Sequence, residues 1–167
     1  IAEAPVAVTF PQQPAKEITD SRIRFDSLDF SYPGSTQAAA VRGINLDIHH
    51  QTHLAIVGPS GCGKTTLAHL LTRFWDPDRG EITIGGTPLQ KFNEAQLRQM
   101  VTLVSQKSHI FNATLRDNLL IAAPGATDEQ LWRVLKRAQL ADFVAALPHQ
   151  LNTWAGEGGA RLSGGEA

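Results

Sequence analysis

The sequence predicts an α/β fold, on three observations. A glycine-rich loop, Gly58-Pro-Ser-Gly-Cys-Gly-Lys-Thr65, lies between the short apolar run Leu54-Ala-Ile-Val57 and the helical pattern Thr66 to Phe74. Upstream, from Arg22 to Ile48, apolar residues alternate as in strands with one buried face. Downstream, helical periodicities open on capping boxes.

Composition narrows the possibilities before any motif is considered. A chain of 167 residues supports one compact domain with a real core. Lys and Arg total 15 against 16 Asp and Glu, a formal net charge of -1, so no broad basic field argues for nucleic acid. Cys62 is the only cysteine, which excludes an internal disulfide and suits a reducing compartment. No apolar run approaches the roughly 20 residues needed to span a bilayer, and no leader resembles a signal peptide.

Each element follows from local pattern. Ile1 to Asp20 carries Pro5, Pro11 and Pro14 among Ala, Gln and Thr, and reads as an extended connector arriving from something upstream. Ile23, Phe25, Leu28 and Phe30, then Ile44, Leu46 and Ile48 after Ser31-Tyr-Pro-Gly34, read as a mainly antiparallel layer. Leu54 to Val57 is expected to be a buried strand feeding the loop. Asp76-Pro-Asp-Arg-Gly80 ends the first helix, Glu81 to Ile84 returns to a strand, and Gly85-Gly86 closes it.

Asn93 and Gln96 have capping-box spacing, with Leu97 and Met100 on the helix that follows. Val101 to Val104 is the next strand candidate, delivering Gln106. Thr127 with Gln130 opens a helix whose Leu131, Val134, Leu135 and Ala138 share a face, with Trp132 beside it as packing. Ala141 to Leu147 forms a short helix stopped by Pro148. No internal repeat is present.

The loop matches G-x-x-x-x-G-K-[ST] in the strand-loop-helix setting that this phosphate-binding motif requires. Its glycines, Gly58, Gly61 and Gly63, allow successive N–H groups to converge on one phosphate, with Pro59, Ser60 and Cys62 filling the turn. The helix that follows adds its positive end. Lys64 is expected to reach the β- and γ-phosphates, Thr65 to ligate Mg²⁺, and Thr66 to support rather than ligate. Cys62 is either an oxidisable thiol or, more plainly, a small residue tolerated at a variable position. The loop is therefore a nucleoside triphosphate site.

A second motif, Leu162-Ser-Gly-Gly-Glu166 preceded by Gly156-Glu-Gly-Gly159, narrows the family. Ser163 and Glu166 can form a capping box, while Gly164 and Gly165 leave N–H groups open to an anion. With the phosphate loop at this separation, the chain from about Arg22 onward resembles the nucleotide-binding domain of ATP-binding cassette transporters. That resemblance implies a RecA-like phosphate-loop NTPase core, an antiparallel β subdomain and part of a helical subdomain. Residues 1–20 would be a linker from an upstream membrane domain, and residues 21–167 a partial nucleotide-binding domain.

The resemblance also implies roles. Ser163, Gly164 and Gly165 would contact the γ-phosphate of ATP held by a second subunit's phosphate loop. Tyr32 would stack on adenine, and Gln106 would touch Mg²⁺ or the attacking water and sense the membrane domain, so that Lys64 and Gln106 serve catalysis. Ile110 and Phe111 would meet the membrane domain's coupling helices or close the domain's own core. Glu157 would contact the coupling helix of the other subunit or be ordinary surface charge.

Asp76-Pro-Asp-Arg-Gly80 and Thr114-Leu-Arg-Asp-Asn-Leu119 look exporter-like. Leu151-Asn-Thr-Trp154 and Ala113 to Leu120 resemble the bacterial thiol exporters, of glutathione or cysteine, associated with cytochrome bd assembly. The implied setting is the cytoplasmic face of a bacterial inner membrane, beside a second, unlike half-transporter. A lipid or multidrug exporter, or a non-transport ATPase of the same superfamily, is the alternative.

The family pattern continues beyond Ala167 into a Mg²⁺-associated aspartate, a catalytic glutamate and a switch histidine. All six histidines here precede the signature, and Asp128 and Glu129 are explained by their place in a helix first turn. The intact protein is therefore expected to hydrolyse ATP, and the chain as written to bind it weakly or not at all and to turn it over negligibly.

Overall fold

The computed structural model describes residues 8–15, 18, 20–35, 39–105 and 109–156. They fall into two compact units, the first ending at Leu103 and the second beginning at Val104.

In the first unit, β1 (Ile23–Phe30), β2 (Val41–Ile48), β3 (Arg79–Ile84) and β4 (Thr87–Pro88) form one antiparallel sheet in the order β2-β1-β3-β4. Register places Phe25 opposite Leu46 on one side and Ile82 on the other, so apolar side chains line up across three strands on one face. The step from Phe25 to Leu28 breaks a two-residue period, yet both are buried. The cause is a register break between them, where Ser27 takes a left-handed φ of 49° and one extra residue restores the inward face. Gly80 crosses β1 at this irregularity with φ 76°. A Cβ there would stand 2.2 Å from the Asp26 carbonyl oxygen, so no larger residue fits.

Two helices lie on the apolar face. α1 (Lys64–Leu71) contributes Leu67 and Leu70, and α2 (Glu94–Met100) contributes Leu97, joined by Leu89 and Phe92 from the 3-10 turn before it. The Asn93–Gln96 capping box that opens α2 is formed in both directions, as its spacing predicts.

Two expectations fail. Leu54 to Val57 and Val101 to Val104 lie outside any strand, and Val57 and Val104 are each 87% exposed. Apolarity supplies a buried strand's composition but not its neighbours. Without a hydrogen-bonded ladder among the described residues, neither segment is a strand; its side chains are largely exposed, except that Val101 packs against the core.

The second unit is helical: α3 (Leu115–Ala122), α4 (Asp128–Arg137) and α5 (Ala141–Ala146) surround Leu131, Leu135, Val144 and Leu151. The Thr127–Gln130 capping box forms, and Trp132 packs against the core as expected, but Val134 on the same stripe is half exposed. α4 ends in a Schellman arrangement, with Gln139 left-handed at φ 62°, Leu140 N–H reaching the Leu135 carbonyl at 2.9 Å and Gln139 N–H the Lys136 carbonyl at 3.2 Å. Arg116 joins α3 to its surroundings, pairing with Asp128 at the start of α4 and donating to Asn152 Oδ1 at 3.0 Å.

Candidate functional site

The glycine-rich loop turns directly into α1. Gly63 is the helix N-cap, with φ 92°, and has no side chain with which to bond the first-turn N–H groups. The helical ladder begins at Leu67 N–H to the Gly63 carbonyl, 3.0 Å, leaving the amides of Lys64, Thr65 and Thr66 outside it. Gly63 is sterically required: a Cβ there would lie 2.5 Å from the Ala40 carbonyl oxygen and 2.7 Å from Val41 Cγ1. The loop thus presents amides and a helix positive end together.

Lys64 curls back across the loop. Its ammonium donates to the carbonyls of Gly58 at 2.9 Å and Pro59 at 2.8 Å and lies 3.7 Å from Cys62 Sγ. The cation is therefore stationed over the loop's centre rather than extended into solvent. Cys62 is exposed, as are Pro59, Ser60, Gly61 and Thr65. An exposed hydroxyl at Thr65, beside the lysine, suits a metal ion that keeps several waters and arrives on phosphate oxygens. Among the described residues no group of three or more His, Cys, Asp or Glu could itself hold a metal.

Thr66 is buried. Its hydroxyl accepts a 3.2 Å hydrogen bond from Tyr32, which fits a supporting residue and joins the loop after β1 to α1. The Tyr32 ring meets Phe30 and Trp75 edge to face, with centroids 5.0 and 5.8 Å apart, so its orientation is set by packing as well as by the hydroxyl. The structure thereby brings together Tyr32, the phosphate loop, Lys64 and Thr66 within one unit. Gln106, Glu157, Ser163, Gly164 and Gly165 lie outside the described residues.

The far end of α1 is unusual. It closes in a Schellman motif, with Phe74 N–H on the His69 carbonyl at 2.9 Å and Arg73 N–H on the Leu70 carbonyl at 3.0 Å. The left-handed position, commonly glycine, is Arg73 at φ 56°, only 4% exposed, with Nε donating to Asp76 Oδ1 at 3.0 Å. Sequence reading missed this residue, because an arginine before an aromatic carries no local turn signal.

In the second unit, Asn118 fixes the segment around Phe111. Its Oδ1 accepts from Phe111 N–H at 2.8 Å while Nδ2 donates to the carbonyls of Phe111 and Thr114 at 3.1 and 2.9 Å. Phe111 stays half exposed with His109 edge-on at 4.6 Å, so it does not close this unit's core, whereas Ile110 is partly buried. Trp154 Nε1–H donates to Asn112 Oδ1 at 2.9 Å. A third capping box, Thr114 with Asp117, opens α3; its Thr-x-x-Asp spacing was visible but uses aspartate where glutamate or glutamine is the commoner signal. The Thr114 hydroxyl and backbone N–H hold the Asp117 carboxyl below the usual aspartate range, and Arg116 does the same to Asp128.

Comparison with known proteins agrees with this geometry. The ABC transporter family description matches residues 41–167. The chain is 45% identical over 159 residues to the glutathione/L-cysteine transport system ATP-binding/permease protein CydC of Escherichia coli (strain K12), covering 95% of this chain and 27% of that protein. It is 40% identical over 148 residues to the ATP-dependent lipid A-core flippase of Chromobacterium violaceum, covering 89% and 25% respectively. P-glycoprotein 14 of Caenorhabditis elegans is 41% identical over 145 residues, with 87% of this chain and 11% of that protein covered. The structure of a bacterial Atm1-family ABC exporter with ATP bound superposes with a TM-score of 0.88 at 35% identity, covering 98% of this chain and 28% of that one. The chain thus spans about a quarter of the length of its bacterial relatives. Its α/β architecture is that of an ABC ATPase domain, and the chain belongs to the ABC transporter family.

Proposed function

We propose that the chain is the ATP-binding portion of an ABC exporter in which two nucleotide units close on ATP and reopen after hydrolysis. The observation that carries this reading is the glycine-rich loop, with Lys64 stationed over loop carbonyls beside a first turn of α1 that has no side-chain cap among the described residues. On binding, the ammonium exchanges those carbonyls for β- and γ-phosphate oxygens, and the amides of residues 63–66 take the remaining charge. Thr65 and Gln106 would hold the Mg²⁺ carried with the triphosphate, which would supply charge neutralisation at the phosphates. Tyr32 stacks on the adenine. The roles of Gln106, and of Ser163, Gly164 and Gly165 toward a partner's ATP, rest on the sequence resemblance. Hydrolysis belongs to the intact protein.

For cargo, we favour glutathione or cysteine carried to the periplasm across a bacterial inner membrane by a pair of unlike half-transporters, in support of cytochrome bd assembly. Similarity to CydC supports this choice, and comparable similarity to the lipid A-core flippase, and to the ABC multidrug transporter MDR5 of Trichophyton rubrum at 38% identity over 98% of this chain and 13% of that protein, supports lipid or drug export as the second reading. Inverted membrane vesicles holding the full transporter discriminate the two. ATP-dependent thiol uptake that disappears in Lys64→Ala supports the first, and lipid or drug movement without thiol uptake supports the second.

A further inference from the structure

Residues 8–15 look like a plain connector in sequence, yet in the structure they are fastened to the first unit at two points. At the first, Arg73 Nη2 donates to the Thr9 carbonyl at 2.9 Å, and the guanidinium carbon lies 4.6 Å from the centroid of the Phe10 ring. Val8 beside them is buried. At the second, the Gln96 side-chain amide reads one residue of main chain in both directions. Oε1 accepts from Ala15 N–H at 2.7 Å, and Nε2 donates to the Ala15 carbonyl at 3.1 Å.

Neither anchor is incidental surface polarity. Arg73 occupies the left-handed residue that ends α1, where glycine would be the less strained choice, so its side chain supplies something the backbone does not need. What that side chain does is hold Asp76 and the connector. Gln96 already serves the α2 capping box through Oε1, and its remaining donor goes to the connector. A Pro-rich tether without such anchors would be a semi-rigid spacer bound to nothing.

We infer that residues 8–15 form a docked strap held by Arg73 and Gln96 as positioning residues, and that through Arg73 load on the preceding chain reaches the C-terminal end of the phosphate-loop helix. α1 has Lys64 at one end and the strap's anchor just past the other, two residues beyond Leu71. At 1.5 Å per residue its eight residues form a short rigid lever of about 12 Å. The transmitting role rests on the proposed reading of the chain as an exporter's ATP unit. The docking itself does not.

The test uses the full transporter in a lipid bilayer, comparing wild type with Phe10→Ala, Gln96→Glu and the double variant. Phe10→Ala acts from the strap side and leaves α1 untouched. Gln96→Glu keeps a capping-box acceptor for α2 and removes the donor to Ala15. Hydrogen exchange should find residues 9–15 protected in wild type and at least tenfold faster in the double variant, with β1 and α2 unchanged. ATP affinity should stay within twofold, while stimulation of ATP hydrolysis by cargo falls at least threefold. Free-peptide exchange of residues 9–15 in wild type, or exchange unaltered in the double variant, overturns the strap. Release of the strap with full cargo stimulation overturns its transmitting role. Absence of ATP binding by wild type would instead defeat the ATP-unit reading, and the transmitting role with it, while the exchange data still decide the docking.

Discussion

The hydroxyl of Tyr32 donates to Thr66 Oγ1 across 3.2 Å, joining the turn after β1 to the helix that carries Lys64. The aromatic assigned to adenine and the lysine assigned to the phosphates are thus set on one connected frame, with Phe30 and Trp75 bracing the ring. If the proposed roles hold, such a frame sets the spacing between the proposed base and phosphate sites before nucleotide arrives, which would lower the ordering cost of binding.

Replacing Tyr32 tests the two contributions separately. Tyr32→Ala would remove the proposed stacking surface, worth about 1–3 kcal/mol, so ATP should bind roughly five- to 150-fold more weakly. Tyr32→Phe keeps the ring and loses only the Thr66 bond, and should weaken binding by less than about fivefold. Nucleotide titration of the full transporter checks both; equal effects from the two variants would remove the stacking role.

Gly63→Ala should be far more damaging than its single methyl suggests. The added Cβ meets the Ala40 carbonyl and Val41 in a left-handed backbone, so the loop must shift. A cost above about 1 kcal/mol is expected from the backbone alone. Hydrogen exchange should show α1 opening more readily, together with loss of ATP binding.

Leu97→Ala probes the first unit's core. Leu97 has no exposed surface and packs beneath the sheet, so truncation should cost about 2–5 kcal/mol. Local opening free energies of α2 and β3 from hydrogen exchange should fall together.

Much of this was legible beforehand, for reasons that can be named. The β1 and β2 strands announced themselves because one buried face enforces alternation, and the capping boxes of α2 and α4 because their contacts are local in sequence. The turn of the glycine-rich loop into α1 was equally legible, since Gly63, Lys64 and Thr66 lie within a few residues of one another. The strap was not: Arg73 meets Thr9 across 64 positions and Gln96 meets Ala15 across 81, and no local pattern encodes such partners. Leu54 to Val57 misled for a related reason, because pairing is a property of neighbouring chains rather than of the apolar residues that await them.

Acid should loosen the second unit at the start of α3 and α4. Asp117 and Asp128 have folded pKa values below the ordinary aspartate value of about 3.9, held there by Thr114 and by Arg116. Their stabilisation is complete above that ordinary value and is lost as pH falls through the lower folded values. Between pH 6 and 8 neither contributes any change. Asp128→Asn should flatten the acid limb of α4 hydrogen-exchange stability, corrected for intrinsic exchange, without altering it near neutrality.

The most direct measurement is a structure of the complete transporter saturated with ATP and Mg²⁺. The account predicts that Lys64 Nζ leaves the Gly58 and Pro59 carbonyls and comes to about 3 Å from β- or γ-phosphate oxygens, with the residue 63–66 amides on the same group. Lys64 still bonded to those carbonyls in every closed state, with ATP bound elsewhere, would contradict it.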